Sequence, residues 1–244
     1  MVVDVLVVVV SLAIALAVAF PLGGVLKRWP AAVYGVAALV VGLYLVGFYR
    51  AMFVGAWQPV VEPLRKGYVA TFLLAIVMVT GALPERSAVR RRLQPIRAEL
   101  SILSFVLYMA HVWTFLPSYL PRLGLLVSIG NLMSASIVVA LVLTAVYALL
   151  TVLSLHKVRT HMPYRVWKGI QRLSYAMVAL LYLHIWLAVG RSALFGASAD
   201  MRVALVLYSV LVAVYAVLRV RKAVGDRRRR GGAAAPAPCG AVAE

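Results

Sequence analysis

The chain has 244 residues, of which 64% are hydrophobic and only 13% are charged, and its mean hydropathy is +0.98. This composition excludes a soluble globular domain and predicts an all-α fold, a polytopic transmembrane helix bundle. The formal net charge of +18 raises the alternative of a nucleic-acid partner, but the sequence has no polar stretch long enough to fold outside a bilayer. We therefore expect a multi-pass protein of the cell membrane.

Seven apolar runs of about 17 to 22 residues follow one another along the chain, and each can cross a hydrocarbon core of roughly 30 Å. We place them at residues 5–26, 31–49, 68–83, 100–116, 136–155, 173–189 and 203–220. Asp4 precedes the first run, and Lys27 and Arg28 follow it, which favours a retained helix with its N-terminus outside. Cleavage near residues 17–19 is the alternative.

The 25 lysines and arginines are unevenly divided between alternate connections, with 19 on one side and six on the other. The six are Arg50, Arg65, Lys66, Arg122, Arg191 and Arg202. Because cytoplasmic loops retain basic residues, this division predicts an N-terminus outside and a C-terminus inside. The charge thus indicates topology and contact with anionic membrane lipid, and no nucleic acid.

Two similar segments, LYMAHVWTF and LLYLHIWLA, place His111 and His184 inside apolar runs. At 1.5 Å per residue, His111 lies roughly 21 Å beyond Arg97 and His184 roughly 18 Å beyond Arg172, on helices that run in the same direction. Ionisable groups at such depth are costly and usually functional. A pair at equal depth suits the two axial ligands of a haem, and two neutral histidines bonded to neighbouring groups are the alternative. A zinc site would need three or four ligands, and no Cys, Asp or Glu lies at this depth.

Several other residues have weaker claims to a role in this site. Arg191 follows His184 by seven residues and could pair with a haem propionate or simply extend to the membrane surface. Trp113 and Trp186 are expected to be packing or interfacial residues. His156 and His161 fit a solvated basic loop, with ligation of a second haem on the inner side as the alternative. Cys239 is the single cysteine, which excludes a disulfide framework and a cysteine-based metal site.

The segment RAELS before His111, and WKGIQRLSY before Leu183 and His184, resemble the ferric reductase-like transmembrane domain superfamily. The pattern is most similar to the haem-binding membrane subunit of the methionine sulfoxide reductase system and covers residues 67–190. The resemblance implies a helical core that holds a b-type haem between His111 and His184. Gln171 stands where the family pattern has a histidine, and Ala98 stands one haem spacing inward of His111. In members with two haems these positions carry the inner haem, so the resemblance implies one outer haem, with a second only if His156 or His161 rebuilds the site.

Four regions follow from these observations. Residues 1–66 hold two transmembrane helices and an outer loop, residues 67–190 the ferric reductase-like haem-binding core, residues 191–222 a last transmembrane helix, and residues 223–244 a disordered cytoplasmic tail that is first basic and then rich in alanine and proline.

The expected function is that of a membrane b-type cytochrome, an electron-transfer subunit that passes single electrons through haem b to an acceptor or partner subunit outside. The sequence has no Gly-rich nucleotide loop, so flavin or quinone could contribute only through a flavoprotein partner or the quinol pool. The alternatives are a quinol-oxidising cytochrome b anchor of a larger oxidoreductase and a haem-free transporter or scaffold.

Overall fold

The computed structural model describes residues 2–122, 124, 132–196 and 199–233, and within these ranges the fold is helical without β-strands. The helices are α1 (Val2–Ala19), α2 (Gly23–Arg28), α3 (Pro30–Tyr49), α4 (Gln58–Arg65), α5 (Tyr68–Ala82), α6 (Ala88–Leu93), α7 (Arg97–Tyr119), α8 (Leu132–Ser154), α9 (His156–Thr160), α10 (Tyr164–Ile170), α11 (Leu173–Phe195) and α12 (Ala199–Ala233). Short 3₁₀ turns occur at Gly55–Trp57, Gln94–Ile96 and Leu120–Arg122. The predicted all-α class is confirmed.

Five helical segments within the described ranges are long and apolar enough to cross a membrane, which makes the chain a helical membrane protein. They are Pro30–Tyr49, Ala88–Tyr119, Leu132–Ser154, Tyr164–Phe195 and Ala199–Arg227. A sixth span results if α4 and α5, which are bent by 43° at Gly67, are taken together. The count of seven spans and the orientation stay predictions.

The first predicted span, residues 5–26, is not one helix. α1 ends at Ala19, a turn occupies residues 20–22, and α2 begins at Gly23. Pro21 lies in this turn and has no backbone N–H to continue the helical hydrogen bonds, and Gly23 and Gly24 follow it. The first apolar helix is therefore shorter than predicted.

Two other predictions are corrected. The segment before residue 67 that was predicted to be a loop contains α4, with Pro59 in its first turn, where a missing N–H costs no hydrogen bond. The tail predicted to be disordered from residue 223 is helical to Ala233, because arginine and alanine are good helix formers and α12 continues without interruption. The rest of the predicted tail, residues 234–244, lies outside the described residues.

α5 lies at the centre of the bundle and is buried along nearly its whole length, from Tyr68 to Ala82. α1, α7 and α12 pack around it, α3 packs on α7, and α8 packs against both α7 and α11. Near the end of α12, Lys222 Nζ donates to Gly81 O at 2.7 Å and holds this helix against the carboxyl end of α5. Outward positions such as Leu43 and Val206 expose apolar side chains, as expected where the surrounding solvent is lipid.

Candidate functional site

A cavity of about 440 Å³ lies between α5, α7, α8, α11 and α12. Its volume lies in the range of small-molecule and cofactor sites, and most of its lining is apolar. His111 from α7 and His184 from α11 both line it. Within the described ranges α7 and α11 do not pack closely against each other, and the space between them is this cavity. The structure thus brings together the two histidines that the sequence paired by depth.

The end of α4 orients His111. Arg65 is the last residue of α4, and its carbonyl is among those that a helix leaves without an intrahelical partner. His111 Nδ1 lies 2.9 Å from this carbonyl oxygen. Gly67, with φ of +71°, then bends the chain by 43° into α5, and a Cβ there would lie 3.4 Å from His111 Cβ. The left-handed turn and the helix end together support the imidazole.

The first turns of α8 orient His184. His184 Nδ1 lies 3.0 Å from the backbone carbonyl oxygen of Ser136, a buried residue. The Ser136 hydroxyl lies 3.0 Å from the same nitrogen and donates to His184 O at 3.2 Å. A carbonyl oxygen has two lone pairs, so Ser136 O can accept from the imidazole while remaining in the α8 hydrogen-bond ladder.

Both imidazoles share one tautomer. Backbone carbonyls only accept hydrogen bonds, so Nδ1 of His111 and of His184 must carry the proton. Nε2 then holds the free lone pair, and in the described part of the chain neither Nε2 forms a hydrogen bond. Metal-binding histidines usually donate their second N–H to a carbonyl or carboxylate in this way, which fixes the ring and raises its basicity.

Aromatic and hydroxyl side chains also line the cavity around His111. The Tyr108 ring stacks on His111 with centroids 6.1 Å apart, and the Phe115 ring lies 5.0 Å from it on the other side of the same helix face. Tyr108 Oη pairs with Thr144 at 2.9 Å. Tyr108 and Phe115 were not predicted to be site residues, although their spacing of three and four from His111 puts them on its face of α7.

A further hydroxyl chain joins the cavity wall to the core. The Tyr147 hydroxyl donates to Ser104 Oγ at 2.6 Å, and Ser104 Oγ donates to Ala70 O at 2.6 Å. Because Tyr147, Ser104 and Ala70 belong to α8, α7 and α5, this chain fixes the spacing of three helices around the cavity.

An ionic network lies at the mouth of the cavity. Lys66 Nζ is 3.6 Å from carboxylate oxygens of Asp4 and Glu62 and 3.7 Å from Asp200, and Arg65 is 2.5 Å from Glu62. Arg65, Lys66 and Asp200 line the cavity. The cations at the mouth therefore come from the end of α4.

The predicted propionate partner, Arg191, is not among the residues that line the cavity. It is exposed, and seven residues along α11 carry it roughly 10 Å beyond His184. Sequence analysis missed Arg65 and Lys66, although two basic residues followed by Gly67 are typical of a helix C-terminus.

The predicted inner-site residues stand apart from this cavity. His156 and His161 are exposed, and His161 Nδ1 lies 2.6 Å from Lys157 O of its own short helix. Gln171 lies half-buried in the turn between α10 and α11. In the ranges that the structure describes, no three His, Cys, Asp or Glu side chains form a metal-binding group.

The comparisons with known proteins do not assign a family. No family model matches the chain. It is similar to an uncharacterized protein of Treponema pallidum (strain Nichols), with 35% identity over 171 residues, which are 68% of this chain and 46% of that protein. The chain spans less than half the length of this relative.

Proposed function

We propose that the protein is a membrane b-type cytochrome in which His111 and His184 are the axial ligands of one haem, and that it passes single electrons to an acceptor or partner subunit on the outer side. One observation carries this proposal. Both histidines line one cavity, and a backbone carbonyl holds each at Nδ1, so that both leave Nε2 available.

The remaining lining fits a flat, mostly apolar cofactor. Small side chains at Ala140, Ala188 and Ala204 leave the space between the helices open. Arg65 at the mouth is the better candidate cation for a haem carboxylate, because it pairs with one carboxylate of the protein, Glu62 at 2.5 Å, whereas Lys66 faces three. These features fit a haem that Arg65 would hold by a carboxylate at the mouth of the cavity.

The bound haem would supply a one-electron iron couple, and two axial imidazoles favour electron transfer over oxygen activation. The protein's part is to hold both imidazoles in one tautomer, to exclude water through the apolar walls, and to keep α7 and α8 at a fixed spacing through the hydroxyl contacts of Tyr108 and Tyr147. Ligands held in fixed positions would lower the reorganisation energy that accompanies a change in the charge of the iron.

The electron donor that we propose is a quinol from the membrane or a separate flavoprotein. We propose one haem because His156 and His161, at the two ends of a short exposed helix, lie away from the cavity, and because Gln171 has no imidazole to bind iron. The resemblance to the ferric reductase-like superfamily agrees with the outer haem.

Optical spectra of the purified protein test this function. Oxidised and dithionite-reduced samples, prepared with adequate haem, should give the Soret and α bands of a low-spin b-type cytochrome, with haem near one per chain. His111→Ala and His184→Ala should each remove the bands. The matched controls His156→Ala and His161→Ala should retain them. A haem-free wild type, or a bound haem that both cavity variants retain, would contradict the proposal.

A further inference from the structure

The short helix α10 and the turn that leads from it into α11 form a hollow at the end of the bundle opposite the mouth of the histidine cavity. It has a volume of about 340 Å³ and is lined by Tyr164, Arg165, Lys168, Gly169 and Arg172. Trp167 Nε1 donates to Leu153 O at 3.3 Å and ties α10 to the end of α8. The hollow therefore lies on a helix that is attached to the rest of the bundle.

Its charge is entirely positive. Three cations line the hollow, no carboxylate does, and the ion pairs found within the described ranges involve other residues. Lys168 Nζ lies 5.4 Å from the centre of the Tyr164 ring, which holds this ammonium beside the hollow. Three like charges converging on one hollow repel one another, and an anion bound between them would relieve that repulsion.

Apolar surface borders the same hollow. Tyr164, which lines the hollow, and Leu173, which follows Arg172, are exposed, and at Leu173 the chain enters the apolar helix α11. Cations next to exposed apolar and aromatic side chains at the end of a span are typical of the headgroup region of a bilayer. A soluble anion would gain nothing from the apolar border, whereas a phospholipid would contact both parts.

We propose that this hollow binds the phosphate of an anionic phospholipid, with Arg165, Lys168 and Arg172 around the headgroup and Tyr164 and Leu173 against the first part of its acyl chains. The site is independent of the histidine cavity and of the proposed haem.

Native mass spectrometry of the full chain in detergent tests the site, with phosphatidylglycerol and phosphatidylcholine of identical acyl chains as probes. The wild type should retain phosphatidylglycerol in preference. The variant R165Q/K168Q/R172Q should lose that preference, and K168Q alone should weaken it about fivefold, as expected for one cation near a lipid surface. The control R86Q/R221Q/R227Q removes the same charge from exposed positions elsewhere and should behave as the wild type. Circular dichroism checks that each variant is folded.

Three results would overturn the proposal. The first is equal retention of both lipids by the wild type, which would show that the hollow does not select an anionic lipid and would favour an acidic protein surface as its partner. The second is an equal loss in the control triple variant, which would assign the effect to net charge. The third is displacement of phosphatidylglycerol by a similar concentration of inorganic phosphate, which would show that the hollow recognises a free anion. If the triple variant does not fold, the fivefold effect of K168Q decides the matter alone.

Discussion

Gly67 is the residue that most directly connects local backbone geometry to the position of His111. Its φ of +71° is unfavourable for any residue with a Cβ, and it follows α4, whose last carbonyl accepts from His111 Nδ1. The space around it is adequate, since an added Cβ would meet His111 Cβ at an ordinary contact distance of 3.4 Å. Backbone strain, not collision, is therefore what a side chain at this position would introduce.

We expect Gly67→Ala to reduce stability by about 1–2 kcal/mol, the cost of a left-handed conformation with a Cβ. Relief of that strain would turn the backbone and shift the Arg65 carbonyl away from His111, so haem should be bound more weakly. Gly55→Ala is the matched control, because Gly55 also has a positive φ, +59°, but no atom within 4 Å of the added Cβ. Thermal unfolding in detergent should show a similar loss for both variants.

Haem titration should then separate the two variants, with weaker binding for Gly67→Ala alone. If both variants bound haem as the wild type does, the α4 carbonyl would not be what orients His111. If both lost haem equally, the effect would belong to global stability.

At this scale the sequence predicted the histidine pair but not its supports. Depth along a helix follows from counting residues after Arg97 and Arg172, and this count brought His111 and His184 to one level. The supports Arg65 O and Ser136 O are backbone groups of helices distant in sequence, and their approach depends on tertiary packing. The same limitation explains why Arg191 was chosen over Arg65 as the cation near the cavity.

Helices α5, α7 and α8 are joined by the hydroxyl chain that runs from Tyr147 through Ser104 to Ala70 O. Hydrogen bonds between transmembrane helices contribute modestly, at about 0.6 kcal/mol on average. A buried donor left without an acceptor costs more, at about 1–3 kcal/mol. Mutation of Tyr147, which only donates in this hydrogen-bond chain, should therefore reduce stability by a different amount than mutation of Ser104, which both accepts and donates.

Ser104→Ala should destabilise the protein more than Tyr147→Phe. The first change leaves the buried Tyr147 hydroxyl without its acceptor, while the second leaves Ser104 bonded to Ala70 O. We expect losses of about 1–3 and about 0.5–1 kcal/mol respectively. The double variant should lose less than the sum, as equilibrium unfolding in mixed micelles can measure.

Additive losses would show that the two side chains act separately and that the three helices are held by apolar packing alone. Thr80→Ala serves as a control, because its hydroxyl bonds only to Ile76 O within α5. The free energy of unfolding of Thr80→Ala should differ little from that of the wild type.

Apolar runs in the sequence predicted which segments are helical, but their interruptions depended on single residues. Pro21 ends the first helix early, so the first predicted span is two shorter helices. Residues 58–65, which were predicted to be loop, form α4, whereas the predicted start of the next span at residue 68 agrees with α5. The tail was misjudged for the opposite reason. Its arginines were interpreted as a disordered basic segment, although arginine in the middle of a continuing helix costs little.

The whole molecule combines a long apolar bundle with a strong asymmetry of charge. If the bent pair α4 and α5 counts as one span, the other candidate spans in the described ranges number six, and α1 then decides whether the termini lie on opposite sides. α1 has 18 residues and is roughly 27 Å long, close to the thickness of a hydrocarbon core, and it packs against α5 in the middle of the bundle. We therefore expect α1 to cross the membrane and to complete an odd number of spans.

Cysteine labelling in intact cells tests this topology, and the single native cysteine makes the experiment direct. Cys239 should react with a membrane-impermeant maleimide only after the cells are permeabilised, because the excess of basic residues keeps that end inside. In a Cys239→Ser background, Val54→Cys should react in intact cells and Arg86→Cys should not, since both positions are exposed and the predicted topology puts them on opposite sides. Reaction of Cys239 in intact cells, together with protection at position 54, would mean an inverted bundle, with the histidine cavity opening toward the cytoplasm. The proposed direction of electron transfer would then have to be reversed, whereas the haem ligands would be unaffected.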